Sequence, residues 1–296
     1  MMQKTGFIAI VGRPNVGKST LLNALLGEKI AIVSKKPQTT RTRITGVLTK
    51  GDSQFVFLDT PGMHHPKTKL GSYMVKQVRS AIADVDAAIL VADVSYEPGD
   101  IEIGLLKKLH DSGMPTILVL NKTDLSTPEQ VGATIQKYAE LCEFSSVVPI
   151  CAMKNDGVDI VLDEAEKLLS EGEWIFEEDD ITDQPEKQIA AETVREKLLR
   201  LIDNEIPHGC AVVIEEFSEQ RGVLKIRAEI FCERESHKRI IIGKKGEMLK
   251  KIGSYAREDL EKFFGVQVFL DLWVKVKENW RESEINIANF GFKADN

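Results

Sequence analysis

Short apolar runs punctuate the first 170 residues: Phe7–Val11, Phe55–Leu58, Ala87–Ala92, Thr116–Leu120 and Val147–Ile150. Each is strand-length and lacks polar alternation, which predicts strands covered on both faces. Amphipathic patterns near residues 19–26, 69–82, 100–112, 129–142 and 157–169 predict helices between them. This alternation predicts an α/β unit with a mostly parallel, doubly wound sheet. Ile44–Leu48 and Gln54–Leu58 flank Gly51-Asp52, which predicts an antiparallel hairpin at one sheet edge.

A different pattern follows residue 188. Ile189–Asp203 has helical periodicity, and Ala211–Phe217 and Val223–Cys232 form a strand pair turning at Arg221-Gly222. Glu235–Ile242 and Glu247–Phe264 are two helices joined at Gly243–Gly246, and Val266–Val276 alternates as a last strand. The order helix, strand, strand, helix, helix, strand describes a smaller α+β unit. Between the two patterns, residues 171–187 carry eight acidic side chains and one lysine. They are expected to form an exposed acidic linker, with Trp174, Ile175 and Phe176 available to dock on a domain. The chain thus divides into 1–170, 171–187 and 188–296.

A length of 296 residues suits two domains. The net charge of −7 argues against a general nucleic-acid coat, but it is unevenly spread. Cys142, Cys151, Cys210 and Cys232 fit no zinc spacing, and are expected as reduced thiols of a cytoplasmic protein. The N-terminal apolar run is too short for a signal peptide, and no stretch approaches the ~20 apolar residues of a membrane span. A soluble protein is expected, with room for peripheral attachment at the inner face of the membrane.

Chemistry enters at the strand ends. Gly12-Arg13-Pro14-Asn15-Val16-Gly17-Lys18-Ser19, followed by Thr20, fits G-x-x-x-x-G-K-[ST] between a predicted strand and a predicted helix. In that context backbone N–H groups and the helix terminus wrap phosphate oxygens. Lys18 is placed to reach the β- and γ-phosphates, and Ser19 to ligate Mg²⁺. Asp59-Thr60-Pro61-Gly62 ends the next strand, where an aspartate holds Mg²⁺ through water and a glycine N–H approaches the γ-phosphate. Asn121-Lys122-Thr123-Asp124 ends a third strand. The Asp124 carboxylate can accept from the N1 and N2 donors of guanine, a pair that adenine lacks, and Asn121 braces base and loop. Cys151-Ala152-Met153 closes a fourth strand, with the Ala152 N–H a candidate for the guanine O6.

Phosphate, magnesium, base and base loops in this order, on one rim of one sheet, resemble the translation-factor class of GTPases. The resemblance is closest to the Era family and covers essentially the whole chain. Pro37-Gln38-Thr39-Thr40-Arg41 looks like the switch I segment of that family, and Phe176–Asp183 like its linker. The resemblance implies a P-loop GTPase fold and hydrolysis of GTP to GDP and phosphate. It also implies that Thr40, with Thr39 as the competing choice, caps the γ-phosphate and Mg²⁺. Many relatives have Ser where Cys151 stands; the base contact comes from backbone, so little effect is expected. Ras-like GTPases place a water-orienting Gln where Met63 stands, and Met cannot align water, so slow intrinsic hydrolysis is expected. Related GTPases with Asn at the place of Asn15 bind K⁺ beside the phosphates, which makes K⁺ a second candidate cofactor. Lys18, Thr40, Gly62 and Asn15 are the candidate catalytic residues.

In the second unit, Gly243-Lys244-Lys245-Gly246 joins the two predicted helices, and the whole resembles a type II KH domain. In KH domains G-x-x-G lets a single-stranded RNA backbone lie close beside a four-nucleotide groove. Arg234, Lys238, Arg239, Lys244, Lys245, Lys250 and Lys251 stand against only Glu235 and Glu247 in residues 234–251. The first 185 residues are acidic, so RNA is expected at this stripe. Ile240–Ile242 and Ile252 are candidates for base contact, for core, or for both. The resemblance implies the 3′ region of 16S ribosomal RNA as partner, a role in assembly of the small (30S) subunit, and a monomer. The rival reading is a signalling GTPase whose second domain binds a protein or a membrane surface. An RNA-modification GTPase fits poorly, since Cys210 and Cys232 lie inside predicted structural elements.

Overall fold

The computed structural model describes residues 2–203 and 205–292. One compact unit runs to Pro66 and resumes over Met74–Asp183. The other takes in Lys67–Tyr73 and the residues from Gln184 onward.

In the first unit β1 (Lys4–Val11), α1 (Lys18–Leu26), β2 (Ile44–Lys50), β3 (Ser53–Asp59) and the part of α2 (Lys69–Ala83) from Met74 onward lead into β4 (Ala87–Asp93) and α3 (Asp100–Asp111). β5 (Thr116–Asn121), α4 (Pro128–Ala139), β6 (Ser146–Ile150), α5 (Val158–Glu166) and a short β7 (Ser170–Glu171) follow. The sheet order is β2-β3-β1-β4-β5-β6, with β7 paired to β1 beside this path; the strands are parallel except for β7 and for the outer strand β2, which is antiparallel as the hairpin signal predicts. Every residue of β3, β4 and β5 is buried, because helices cover both faces. That is why these strands read as apolar runs. The core of one layer gathers Val11, Leu90, Leu118 and Leu120 from the strands with Leu105, Leu109 and Tyr138 from the helices.

The acidic stretch stays with this unit as far as Asp183. β7 pairs antiparallel with the start of β1. The buried Gln54 amide accepts from the N–H groups of Ile175 (2.9 Å) and Phe176 (3.0 Å) and donates to the Phe176 carbonyl (2.9 Å). Val47 N–H donates to the Ile181 carbonyl at 2.9 Å, and the Thr182 hydroxyl to the Thr45 carbonyl at 2.6 Å. A strongly acidic composition predicts solvation, and does not reveal that backbone groups of this strap are held by Gln54 and β2.

In the second unit α6 (Glu186–Leu201), β8 (Ala211–Gln220), β9 (Val223–Cys232), α7 (Glu235–Ile242), α8 (Glu247–Phe264) and β10 (Gln267–Val276) appear in the predicted order. α9 (Glu284–Asn289) was not anticipated. β9 is central, antiparallel to β8 and parallel to β10. Inward residues of β9, Ala228, Ile230 and Cys232, meet Val194 and Leu198 of α6, Ile241 of α7, and Ile252 and Ala256 of α8. A second cluster joins Leu70, Ala211, Trp280, Ile287 and Phe292, and the Trp280 indole donates to the Gly209 carbonyl at 2.9 Å. No helix among the described residues is long and apolar enough to cross a membrane.

Candidate functional site

The four loops of the first unit leave the carboxyl ends of β1, β3, β5 and β6, where ligands bind in open α/β sheets. Residues 12–17 wrap into the start of α1. Gly17 has φ 102°, and a Cβ there would stand 2.1 Å from the Asn121 amide nitrogen, so only glycine lets the loop approach the base motif. Asn121 fastens the loops together. Its amide donates to the Val16 carbonyl (2.8 Å), and its oxygen accepts from Lys122 N–H (2.8 Å) and Ala152 N–H (3.0 Å). The Ala152 N–H expected at guanine O6 is thus engaged with Asn121, and a contact to the base would have to share it. Met153 beside it is exposed.

Lys18 is buried, and its ammonium donates to the carbonyls of Gly12 (3.2 Å) and Arg13 (2.8 Å). Burial pulls its pKa down to about 8, against the pull of Asp59. Asp59 is fully buried, and burial pushes it up to about 6 despite Lys18 and the hydroxyls of Ser19 and Thr40. The Ser19 hydroxyl donates to Asp59 Oδ2 at 2.6 Å and lies 2.8 Å from Thr40 Oγ1, itself 3.5 Å from that carboxylate. Thr39 instead turns its hydroxyl to the Lys36 carbonyl at 2.6 Å. Ser19, Thr40 and Asp59 therefore converge, whereas Thr39 faces away. For a magnesium ion the donor set fits: three hard oxygens converge, and Asp59 Oδ1 is buried without a hydrogen-bond partner. Thr60 ties the next loop back to β1 through the Ile10 carbonyl, 2.9 Å from its hydroxyl. Pro61 and Gly62 are buried, and Met63 N–H donates to the Gly12 carbonyl at 3.1 Å, joining the D-x-x-G turn to the phosphate loop. The Met63 side chain packs on the hydrophobic core, so the residue directly after Gly62 brings no polar group; the next one, His64, places its Nδ1 2.8 Å from the Gly62 carbonyl.

Asp124 lies in a single 3₁₀ turn begun by Thr123, with Lys122 before it in the left-handed conformation (φ 69°). The Cys151 thiol beside it, and then the Lys154 ammonium at 3.5 Å, hold its carboxyl below the usual carboxylate range. The residue type at 151 thus bears on Asp124 through its side chain. Sequence reading also missed Asp93, at the carboxyl end of β4, whose Oδ2 accepts from Lys122 at 2.6 Å. The signal was available, since a carboxylate directly after a buried apolar run sits where Asp59 does.

In the second unit α7 ends at Gly243 (φ 75°), where a Cβ would meet Met248 Cβ at 2.7 Å. Lys245 and Gly246 are also left-handed, which turns the chain sharply into α8 and leaves Lys244 and Lys245 exposed. Arg234, Arg239, Lys250 and Lys251 are exposed and Lys238 is half-buried. The Lys251 ammonium lies 5.9 Å from the Tyr255 ring centre. Beside the turn, a groove of about 410 Å³ is lined by Leu249, Gly253, Leu270 and Leu272, with Lys250 and Arg257 among its polar lining residues. Ile241 and Ile252 are fully buried core, so the apolar lining comes chiefly from α8 and β10 rather than from α7.

Comparison with known proteins agrees with both halves. The family described as 50S ribosome-binding GTPase matches residues 7–122, and the KH domain family matches residues 205–281. GTPase Era of Ruminiclostridium cellulolyticum is 48% identical over 296 residues, covering 100% of this chain and 99% of its own. GTPase Era of Clostridium acetobutylicum is 48% identical over 295 residues, covering 99% of each. Among solved structures, an Era variant of Aquifex aeolicus bound to GDP·AlF4⁻ superposes with a TM-score of 0.95 at 40% identity, covering 99% of this chain and 100% of that one. Era in complex with MgGDPNP and nucleotides 1506–1542 of 16S ribosomal RNA matches with the same identity, coverage and TM-score. With a GTPase unit and a KH unit in this order, and relatives nearly half identical along its whole length, the chain belongs to the Era family of GTPases.

Proposed function

We propose that this GTPase binds single-stranded ribosomal RNA of the small subunit, near the 3′ end of 16S rRNA, and acts in 30S subunit assembly under the control of its nucleotide. The observation that carries the reading is the Gly243–Gly246 turn, with two exposed lysines beside an apolar groove on a KH unit. The RNA itself is taken from the whole-chain relative solved with nucleotides 1506–1542 of 16S rRNA. The GTPase family's description speaks of the 50S subunit, but it matches residues 7–122 alone, so the relative spanning 99% of this chain weighs more. The groove would take about four nucleotides. Lys244 and Lys245 supply charge to the phosphates, while Leu249, Leu270 and Leu272 offer apolar faces to bases.

In the nucleotide site, Lys18 neutralises β- and γ-phosphate oxygens, and Ser19, Thr40 and, through water, Asp59 would hold Mg²⁺. When bound, the ion offsets charge developing on the phosphates. Gly62 N–H meets the γ-phosphate, and Asp124 selects guanine. Met63 leaves no side chain to orient water, so intrinsic turnover is slow. Asn15, exposed in the outer half of the loop, is the residue to hold K⁺ there. The deciding experiment is sequencing of RNA crosslinked to the full chain with a GTP analogue and with GDP. Enrichment of the 16S 3′ region that depends on the nucleotide supports the reading. RNA recovered without preference for that region refutes it.

A further inference from the structure

Residues 93–102, which link β4 to α3, belong to none of the four nucleotide motifs, yet two buried carboxylates in them reach the phosphate loop. Asp93 is 5% exposed; its Oδ1 accepts from Ser95 N–H at 3.0 Å and its Oδ2 from the Lys122 ammonium at 2.6 Å. The same ammonium donates to the Asn15 carbonyl at 2.7 Å. Glu102, fully buried, forms an ion pair with Arg13 and accepts from Gly99 N–H at 3.0 Å. The Arg13 guanidinium also lies 5.7 Å from the centre of the Tyr96 ring. In the outer half of the loop, Arg13 is therefore anchored to this segment directly and Asn15 through Lys122.

Such an anchor bears on Asn15. Its φ of 65° is left-handed, a conformation that costs asparagine less than other residues with a Cβ but more than glycine. Val16 on the inner half is held by Asn121, whereas Asn15 has Lys122. Lys122 is a flexible point charge, and a buried carboxylate 2.6 Å away fixes where that charge sits. We propose that Asp93 and Glu102 are positioning residues that hold residues 13–15 in the nucleotide-binding shape. Asp93 acts through Lys122 on the backbone of Asn15, and Glu102 acts through Arg13. The inference rests on residues 12–19 being the phosphate loop, which tight GDP binding by the parent chain tests separately.

Asp93→Asn keeps an oxygen for Ser95 N–H and removes the charge that faces Lys122. In the full chain, release of a fluorescent GDP analogue should become roughly tenfold faster, as expected when a partly exposed ammonium loses a charged hydrogen-bond partner. Measured in Na⁺ buffer, where the K⁺ role of Asn15 plays no part, KM for GTP should rise with it while kcat stays within about twofold. The discriminating arm is the Asn15→Gly background. Glycine takes a φ of 65° freely, so there Asp93→Asn should change release by less than about threefold. Equal acceleration in both backgrounds would mean that Asp93 supports the fold and not the loop, and would overturn the proposal. So would a folded Asp93→Asn protein with the parental release rate. Should Asp93→Asn fail to fold, Glu102→Gln decides: faster release with unchanged kcat sustains the brace, and unchanged release ends it.

Discussion

Asp124→Asn isolates the choice of base. The carboxylate is about a quarter exposed, and the Cys151 thiol and Lys154 hold its pKa below the usual range, so it is fully charged at pH 7. Two hydrogen bonds from guanine to a charged acceptor are each worth about 1.5–3 kcal/mol. The amide keeps one acceptor and turns a donor toward a donor, so the substitution should cost about 3–4 kcal/mol. At ~1.4 kcal/mol per factor of ten, GTP affinity should fall by roughly 10²–10³-fold. Xanthine carries an oxygen where guanine carries the 2-amino group, and the new amide can donate to it, so xanthosine triphosphate should gain affinity. The loop is held by Asn121 and by the turn's backbone, so thermal stability should change little. Calorimetric titration of both nucleotides, with circular dichroism as control, is the assay. A folded variant that retains parental GTP affinity, or that loses both nucleotides alike, refutes the assignment of Asp124 to the base.

Lys244→Asp with Lys245→Asp should abolish binding of single-stranded RNA in filter assays while the unit stays folded, because both side chains are exposed. Any residual binding should show a salt slope lower by roughly one per lost contact, and a folded variant that binds like the parent would sink the RNA loop. GTP hydrolysis should be faster in K⁺ than in Na⁺ at equal ionic strength, and Asn15→Ala should erase the difference; equal parental turnover in both salts excludes the potassium role. In the nucleotide- and metal-free protein, Asp59 is held up to about 6, so the folded state keeps a proton that the unfolded state has released. Its contribution to stability is therefore present below about pH 4 and is lost as pH rises toward 6, by about 3 kcal/mol. Asp59→Asn should remove that loss, so its melting temperature relative to the parent should climb across this range, and a flat difference would disprove the buried charge.

Much of the nucleotide site is legible because its physics is local. A strand buried on both faces reads as an apolar run, and each motif begins where such a run stops, as at Val11, Leu58, Leu120 and Ile150. The KH unit is legible for the same reason, with Gly243–Gly246 between two amphipathic helices. What stays hidden depends on contacts distant in sequence. Gln54 looks like an ordinary polar residue on a strand, yet it is buried and bonded to Ile175 and Phe176. Glu102 looks like a solvated helix residue until it meets Arg13. Leu270 and Leu272 read only as the inward side of a strand, and no periodicity tells that they line a groove with Leu249. Thr39 and Thr40 are indistinguishable as text, and only the fold turns one hydroxyl toward Ser19 and the other toward Lys36.

The strap on β2 has a consequence for synthesis. β2 is the outer strand of its sheet, and an uncovered outer strand is a template for pairing with other chains. Ile181 and Thr182 occupy that side through Val47 and Thr45. Ribosomes add ~5–20 residues per second, so a growing chain that has completed Lys50 waits on the order of ten seconds for the roughly 130 residues that bring this cover. During that interval the strand is bare. A fragment cut at residue 170 would make the interval permanent: it keeps every nucleotide loop and presents an open edge to its neighbours. A fragment ending at Asp183 keeps the edge covered, and should stay dispersed at concentrations where the shorter one aggregates.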